Sequence, residues 1–171
     1  EPYRTLVGHL RHEVGHYYWD RLVTNEYLGP FRHLFGDESK DYGLALESHY
    51  RNGPPADWKE THISAYAAAH PWEDWAETWA HYLHMMDSLG TAYHSRIKIE
   101  GACDSDPKFN YDDIELNSFD SVIRNWPGVV CMINSFNRSL GLADAYPFTI
   151  PSMVVEKLKF IHDIIPLHRS M

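Results

Sequence analysis

The chain is poor in cysteine, and its two cysteines do not suit a thiolate metal site. Cys103 and Cys131 are far apart in the 171-residue sequence and do not form the close pairs that bind structural zinc. They permit one disulfide or two buried thiols, and neither arrangement amounts to a disulfide framework. Because such a framework is lacking, we expect a cytoplasmic protein.

Basic residues and long apolar runs are also scarce. The sequence has 15 Lys and Arg against 24 Asp and Glu, a formal net charge of −9, which disfavours nucleic acid as a partner. No apolar run approaches the roughly 18 residues of a membrane span, so no membrane partner is expected. The 44% hydrophobic content is globular, and the length predicts one domain over residues 1–171.

The chain begins abruptly. It has no initiator Met and no signal peptide, and helical periodicity starts within the first few residues. We therefore expect that an upstream segment has been removed.

The pattern of apolar residues predicts a mainly α-helical chain with little or no β-sheet. Proline near the first turn and glycine or a polar cluster at the end delimit most of the predicted helices. A break at 25–29, a polar loop over about 95–113 and a weak strand at 97–99 interrupt them. The predicted helices cover about 3–24, 31–35, 41–50, 71–90, 119–126, 127–140 and 151–165.

The first predicted helix carries an HExxH motif. His12 and His16 are four residues apart and lie one above the other on one helical face. Two imidazoles so placed can bind one zinc ion at about 2.0–2.1 Å. Glu13 lies beside them, where it can accept a proton from zinc-bound water and pass it to a leaving amine.

A second predicted helix offers a third ligand. Glu73 and Glu77 are four residues apart, and two such carboxylates repel unless a cation lies nearby. One of them can bind zinc while the other accepts a hydrogen bond from a ligating imidazole, and the spacing leaves open which does which.

These two motifs together resemble the gluzincin zinc peptidases. They are similar to the catalytic domain of anthrax lethal factor, and most of the chain resembles a bacterial family of zinc-binding metallopeptidases. The resemblance implies a zincin-like fold, with Glu73 as the third zinc ligand and Glu77 as its supporting carboxylate. It also implies that Tyr66, seven residues before Glu73, donates a hydrogen bond to the oxyanion.

Two points depart from this pattern or stay open. Gluzincins place a β-sheet before the HExxH helix, with an edge strand that binds peptide, and nothing precedes that helix here to form it. Asp20 lies one turn beyond His16, where it either orients a ligand or is a solvated or salt-bridged charge.

The sequence thus predicts a zinc-dependent peptidase with one Zn²⁺ per chain, acting on a peptide or protein. Two alternatives remain at this stage. One is a zinc-binding module without catalytic activity, and the other is a metal-free helical interaction domain in which HExxH arose by chance.

Overall fold

The computed structural model describes residues 5–99, 109–146 and 150–165, and this part of the chain is mainly helical. The predicted fold class is confirmed. The α-helices are α1 (Leu6–Leu22), α2 (Asn25–Phe35), α3 (Tyr42–Asn52), α4 (Trp58–Thr61), α5 (Pro71–His94), α6 (Phe119–Ser139) and α7 (Ser152–Ile164), with 3₁₀ turns at Tyr66–Ala69 and Tyr111–Asp113.

The β-structure is one short antiparallel pair. Strand β1 (Lys98–Ile99) pairs with β2 (Phe109–Asn110), and Ile99 faces Phe109 in the register. The weak strand expected at residues 97–99 is therefore confirmed, whereas β2 lies in the stretch that was expected to be a polar loop.

Two helix boundaries differ from the sequence expectation. The break expected at residues 25–29 is wrong, because α2 begins at Asn25 and runs through Pro30. The split expected at Pro127 is also wrong, since α6 continues through this proline. In both helices the apolar face continues on the far side of the proline and is buried, which outweighs the cost of one lost backbone hydrogen bond.

The chain divides into two compact units, and the division falls within α5 between Tyr82 and Leu83. One unit contains Leu6–Tyr82 together with α7, and the other contains the described residues from 83 to 146. The expectation of a single catalytic domain over residues 1–171 stays a prediction.

Helices α1 and α5 approach each other closely at Gly15. A Cβ atom at this position would lie 3.0 Å from Ala76 Cα and 3.2 Å from Trp79 Cδ1. The indole of Trp75 donates a hydrogen bond of 2.8 Å to the Gly15 carbonyl. The glycine of the HExxH segment therefore lets the two motif helices pack with their backbones nearly in contact.

An aromatic cluster supports the buried side of α5. Trp75 is fully buried and lies against Phe31, Phe35 and Phe160, with ring centroids about 6 Å apart. These three partners come from α2 and α7, so burial of their large apolar surfaces fixes both helices against α5.

A buried ion pair joins α7 to α5. Lys157 donates hydrogen bonds to Asp74 Oδ2 at 2.6 Å and to the Thr61 carbonyl at 2.7 Å, and both charged side chains are at most 3% exposed. Such a pair requires full hydrogen bonding, because an unpaired charge at this depth is strongly destabilising. Asp74 follows Glu73 directly, so the pair also anchors the helix turn that presents Glu73.

The two alternatives left open for the cysteines are resolved at α6. Cys131 is fully buried and disulfide-bonded. Cys103 lies outside the described residues.

None of the helices in the described ranges combines the length and the apolar character that crossing a membrane requires.

Candidate metal centre

The HExxH histidines project from one face of α1. His12 is 8% exposed, and its Nε2 atom lies 3.2 Å from Nε2 of His16. The two rings are nearly perpendicular, with centroids 4.9 Å apart. Helical spacing predicts this proximity, because residues i and i+4 share a face.

Glu73 completes the cluster from α5. Its carboxylate is 1% exposed, with Oε2 at 3.1 Å from His12 Nε2 and Oε1 at 3.7 Å from His16 Nε2. One donor atom from each of these three residues falls within 4.8 Å of the others. The structure thus brings together the two histidines of the HExxH motif and Glu73, the carboxylate that the resemblance implies as the third ligand.

The hydrogen bonds around His12 show that the cluster suits a cation. His12 Nδ1 donates to Glu77 Oε1 at 2.6 Å, so in the neutral imidazole Nε2 carries a lone pair. Glu73 Oε2 is buried and has no hydrogen-bond partner. Two acceptor atoms 3.1 Å apart repel unless a positive charge lies between them. Two imidazole nitrogens and one carboxylate form an established donor set for catalytic zinc.

Glu77 lies outside the cluster and supports it from behind. Its Oε1 accepts from His12, and its Oε2 accepts from Ser64 Oγ at 2.6 Å. Ser64 in turn accepts from the Ala67 backbone at 3.1 Å. This arrangement fixes the orientation of the His12 ring and leaves its Nε2 facing Glu73 and His16.

Tyr66, which the resemblance to gluzincins implies as an oxyanion donor, lies beside the cluster. Its ring centroid is 6.1 Å from that of His12 and 6.0 Å from that of His49 on α3. Burial, followed by the charge of Glu73, raises the pKa of the Tyr66 phenol, so the hydroxyl keeps its proton. A protonated phenol can donate a hydrogen bond to developing negative charge.

An open cavity of about 340 Å³ exposes the cluster to solvent. Both remaining site candidates reach this cavity from α1. Glu13 is 58% exposed and its Oε1 lies 3.7 Å from His9 Nε2. Asp20 also lines the wall, but within the described part of the chain it makes no hydrogen bond to a ligand histidine. The other lining residues are His12, His16, Trp19, Tyr42, Tyr66, Trp72 and Glu73.

Both ring nitrogens of His12 face a carboxylate, Glu73 on one side and Glu77 on the other. Burial alone would lower the pKa of His12, but the adjacent Glu73 carboxylate and the hydrogen bond to Glu77 outweigh burial and raise it to about 9. Burial would raise the pKa of Glu73, yet the neighbouring imidazoles of His12 and His16 and the hydrogen bond from Tyr42 hold it well below its usual range. The carboxylates therefore stay ionised and stabilise positive charge at this point.

Sequence reasoning missed two residues that contact these carboxylates. Tyr42, at the start of α3, donates a hydrogen bond of 2.6 Å to Glu73 Oε1, and Ser64 supports Glu77. The sequence offers no periodic signal for Tyr42, because 31 residues separate it from Glu73.

An HExxH helix packed against a glutamate-bearing helix is an arrangement suited to a zinc site of the peptidase type. The sequence profile of the family described as "Putative zinc-binding metallo-peptidase" matches residues 1–164. The chain belongs to this family.

Relatives of similar sequence occur in mycobacteria. Proteins of Mycobacterium bovis and Mycobacterium tuberculosis, described as uncharacterized, are 45% identical over 167 residues. The match covers 96% of this chain and 48% of each relative, so the chain spans about half the length of these curated relatives. No solved structure matches the chain.

Proposed function

We propose that this chain is the catalytic part of a zinc-dependent peptidase, with zinc bound by His12, His16 and Glu73. The observation that carries the proposal is the orientation of the buried Glu73 carboxylate. Its Oε2 atom has no hydrogen-bond partner and lies 3.1 Å from Nε2 of His12, the ring whose Nδ1 donates to Glu77. Burying an ionised carboxylate costs free energy unless a nearby cation compensates its charge.

Each protein residue then has a chemical task. Bound zinc would supply Lewis acidity and a water of lowered pKa. Glu13, exposed on the cavity wall, would accept a proton from water in the cavity and later deliver it to the leaving amine. Tyr66 donates a hydrogen bond to the oxyanion, and Glu77 holds His12 in its binding orientation.

Peptides or proteins are the proposed substrates, and hydrolysis of an amide bond is the proposed reaction. Family membership supports this class of reaction. The chain spans about half the length of its mycobacterial relatives. Any activity or substrate of a whole protein of that length is therefore likewise a proposal.

Metal content tests the binding part of the proposal. The purified chain is analysed by plasma mass spectrometry next to Glu73→Ala and Asp120→Ala, the latter an exposed acidic residue at the start of α6. We expect about one zinc per chain in the wild type and in Asp120→Ala, and much weaker binding in Glu73→Ala.

If the wild type took up no zinc, both the proposed metal site and the proposed peptidase activity would be refuted. Stoichiometric zinc without cleavage of any member of a peptide library would refute hydrolysis by this chain and leave a zinc-binding module.

A further inference from the structure

Tyr42 lines the cavity, and neither sequence motif assigns it a role. It is the first residue of α3, whose start is capped by Asp41 through a hydrogen bond of 2.8 Å from the Leu44 backbone. The Tyr42 hydroxyl donates to Glu73 Oε1 at 2.6 Å. A hydrogen bond to an ionised carboxylate is stronger than a neutral one, and this carboxylate is only 1% exposed.

The ring of Tyr42 is held on two sides. Its centroid lies 5.2 Å from that of His70 and 6.2 Å from that of Trp72. His70 is itself fixed, since its Nε2 donates to the Lys40 carbonyl at 3.1 Å and its Nδ1 accepts from the Trp72 backbone. Contacts with these protein groups therefore position the phenol beside Glu73.

The two oxygens of Glu73 consequently have different surroundings. Oε1 accepts the Tyr42 hydrogen bond, whereas Oε2 has no hydrogen-bond partner and lies nearer to His12 Nε2. We propose that Tyr42 is a positioning residue of the metal centre. Its hydroxyl hydrogen-bonds Oε1 of Glu73 and so leaves Oε2 as the single oxygen that Glu73 offers to zinc. This inference rests on the proposed zinc binding and adds the coordination mode.

A single oxygen from Glu73 matters for the proposed chemistry. Three protein donor atoms leave the fourth position of a tetrahedral zinc site for water. If both oxygens of Glu73 bound, they would compete with water for that position. Tyr42 thereby keeps the centre open, without contacting the reacting atoms itself.

The substitution Tyr42→Phe tests this role, because it removes only the hydroxyl. Tyr93→Phe is the matched control, a partly exposed phenol on α5 that does not line the cavity. Zinc affinity is measured by competition with a chromogenic chelator, and zinc coordination by X-ray absorption. Loss of a hydrogen-bond partner behind a metal ligand typically lowers affinity about 10–100-fold, and we expect this loss in Tyr42→Phe alone. We also expect an additional carboxylate oxygen at zinc in this variant.

Several results would overturn the inference. Wild-type zinc with both Glu73 oxygens bound would do so on its own, even if Tyr42→Phe failed to fold. Equal affinity and equal coordination in Tyr42→Phe and the wild type would overturn it while leaving the proposed function intact. No zinc uptake by the wild type would overturn both.

Discussion

At the scale of single residues, three glutamates share one site but differ in exposure. The side chain of Glu73 is 1% exposed and that of Glu77 is 14%, whereas Glu13 is 58% exposed. The buried pair is engaged by His12, Tyr42 and Ser64. Only Glu13 is therefore free to exchange a proton with water in the cavity.

The substitution Glu13→Gln separates metal binding from catalysis. We expect the variant to keep wild-type zinc content, because Glu13 does not belong to the three-residue cluster. Peptide hydrolysis should fall by about 10²–10⁴-fold, the usual contribution of a general base. Cleavage of a fluorogenic peptide by zinc-loaded wild type and variant measures this difference.

Two results would contradict that role. Unchanged hydrolysis in Glu13→Gln would remove Glu13 from the mechanism. Loss of zinc would instead assign Glu13 a part in binding the metal.

At the scale of elements, the contact between α1 and α5 depends on Gly15. Alanine normally favours a helix over glycine by about 1 kcal/mol. Here the added Cβ would lie 3.0 Å from the Ala76 backbone, so the helices must separate. We expect Gly15→Ala to lower both the melting temperature and the zinc affinity, because His12 and Glu73 come from opposite sides of this contact.

Gly90→Ala is the matched control on α5, since a Cβ at Gly90 meets nothing within 4 Å. This variant should be slightly more stable than the wild type, by about 0.5–1 kcal/mol. Thermal unfolding followed by circular dichroism compares the two. A Gly15→Ala variant as stable as Gly90→Ala would show that the close packing of α1 on α5 is unimportant.

The junction of α4 and α7 predicts a dependence of stability on pH. Burial, and then the charge of Lys157, lowers the pKa of His62 from 6.5 to about 4. The charges that face it are Asp57, Asp74 and Lys157. Between pH 6.5 and 4 the unfolded chain binds a proton at His62 that the folded chain excludes. The stabilisation from neutral His62 is therefore complete above pH 6.5 and is lost as the pH falls.

We expect His62→Gln to flatten this loss of stability between pH 6.5 and 4. Denaturant unfolding of the metal-free protein across the range measures it, with the exposed His33→Gln as the control. If both variants follow the wild-type curve, His62 does not contribute to the pH dependence.

At the scale of the whole molecule, zinc binding couples to stability, because the ligands come from separate helices that the unfolded chain does not hold together. Zinc at about 1,000 times its dissociation constant should stabilise the fold by about 4 kcal/mol. For a chain of this size, the melting temperature should then rise by roughly 10 °C.

Differential scanning calorimetry with and without a chelator measures this shift. Glu73→Ala should show little of it at the same zinc concentration. An equal rise in the melting temperature of Glu73→Ala would show that the stabilising zinc does not require Glu73. It would then bind elsewhere among the chain's 12 histidines.

The sequence by itself determined the helical class and the local part of the site. His12 and His16 lie together because one turn of helix brings residues i and i+4 to the same face, whatever the rest of the chain does. The starts of α5 and α7 follow from proline near their first turns. By contrast, the sequence did not reveal that α2 and α6 continue through proline, because burial of their apolar faces depends on distant partners.

Only the tertiary structure decided how Glu73 and Glu77 divide between the cluster and its support. Both project from one face of α5, and helical spacing treats them alike. The contact at Gly15 fixes the position of α1 along α5. Glu73 consequently lies beside the Nε2 atoms of His12 and His16, and Glu77 lies beside Nδ1 of His12. Tyr42 reaches Glu73 across 31 residues, and Glu77 reaches His12 across 65. Contacts over such separations follow from the packing of whole helices, which no local pattern encodes.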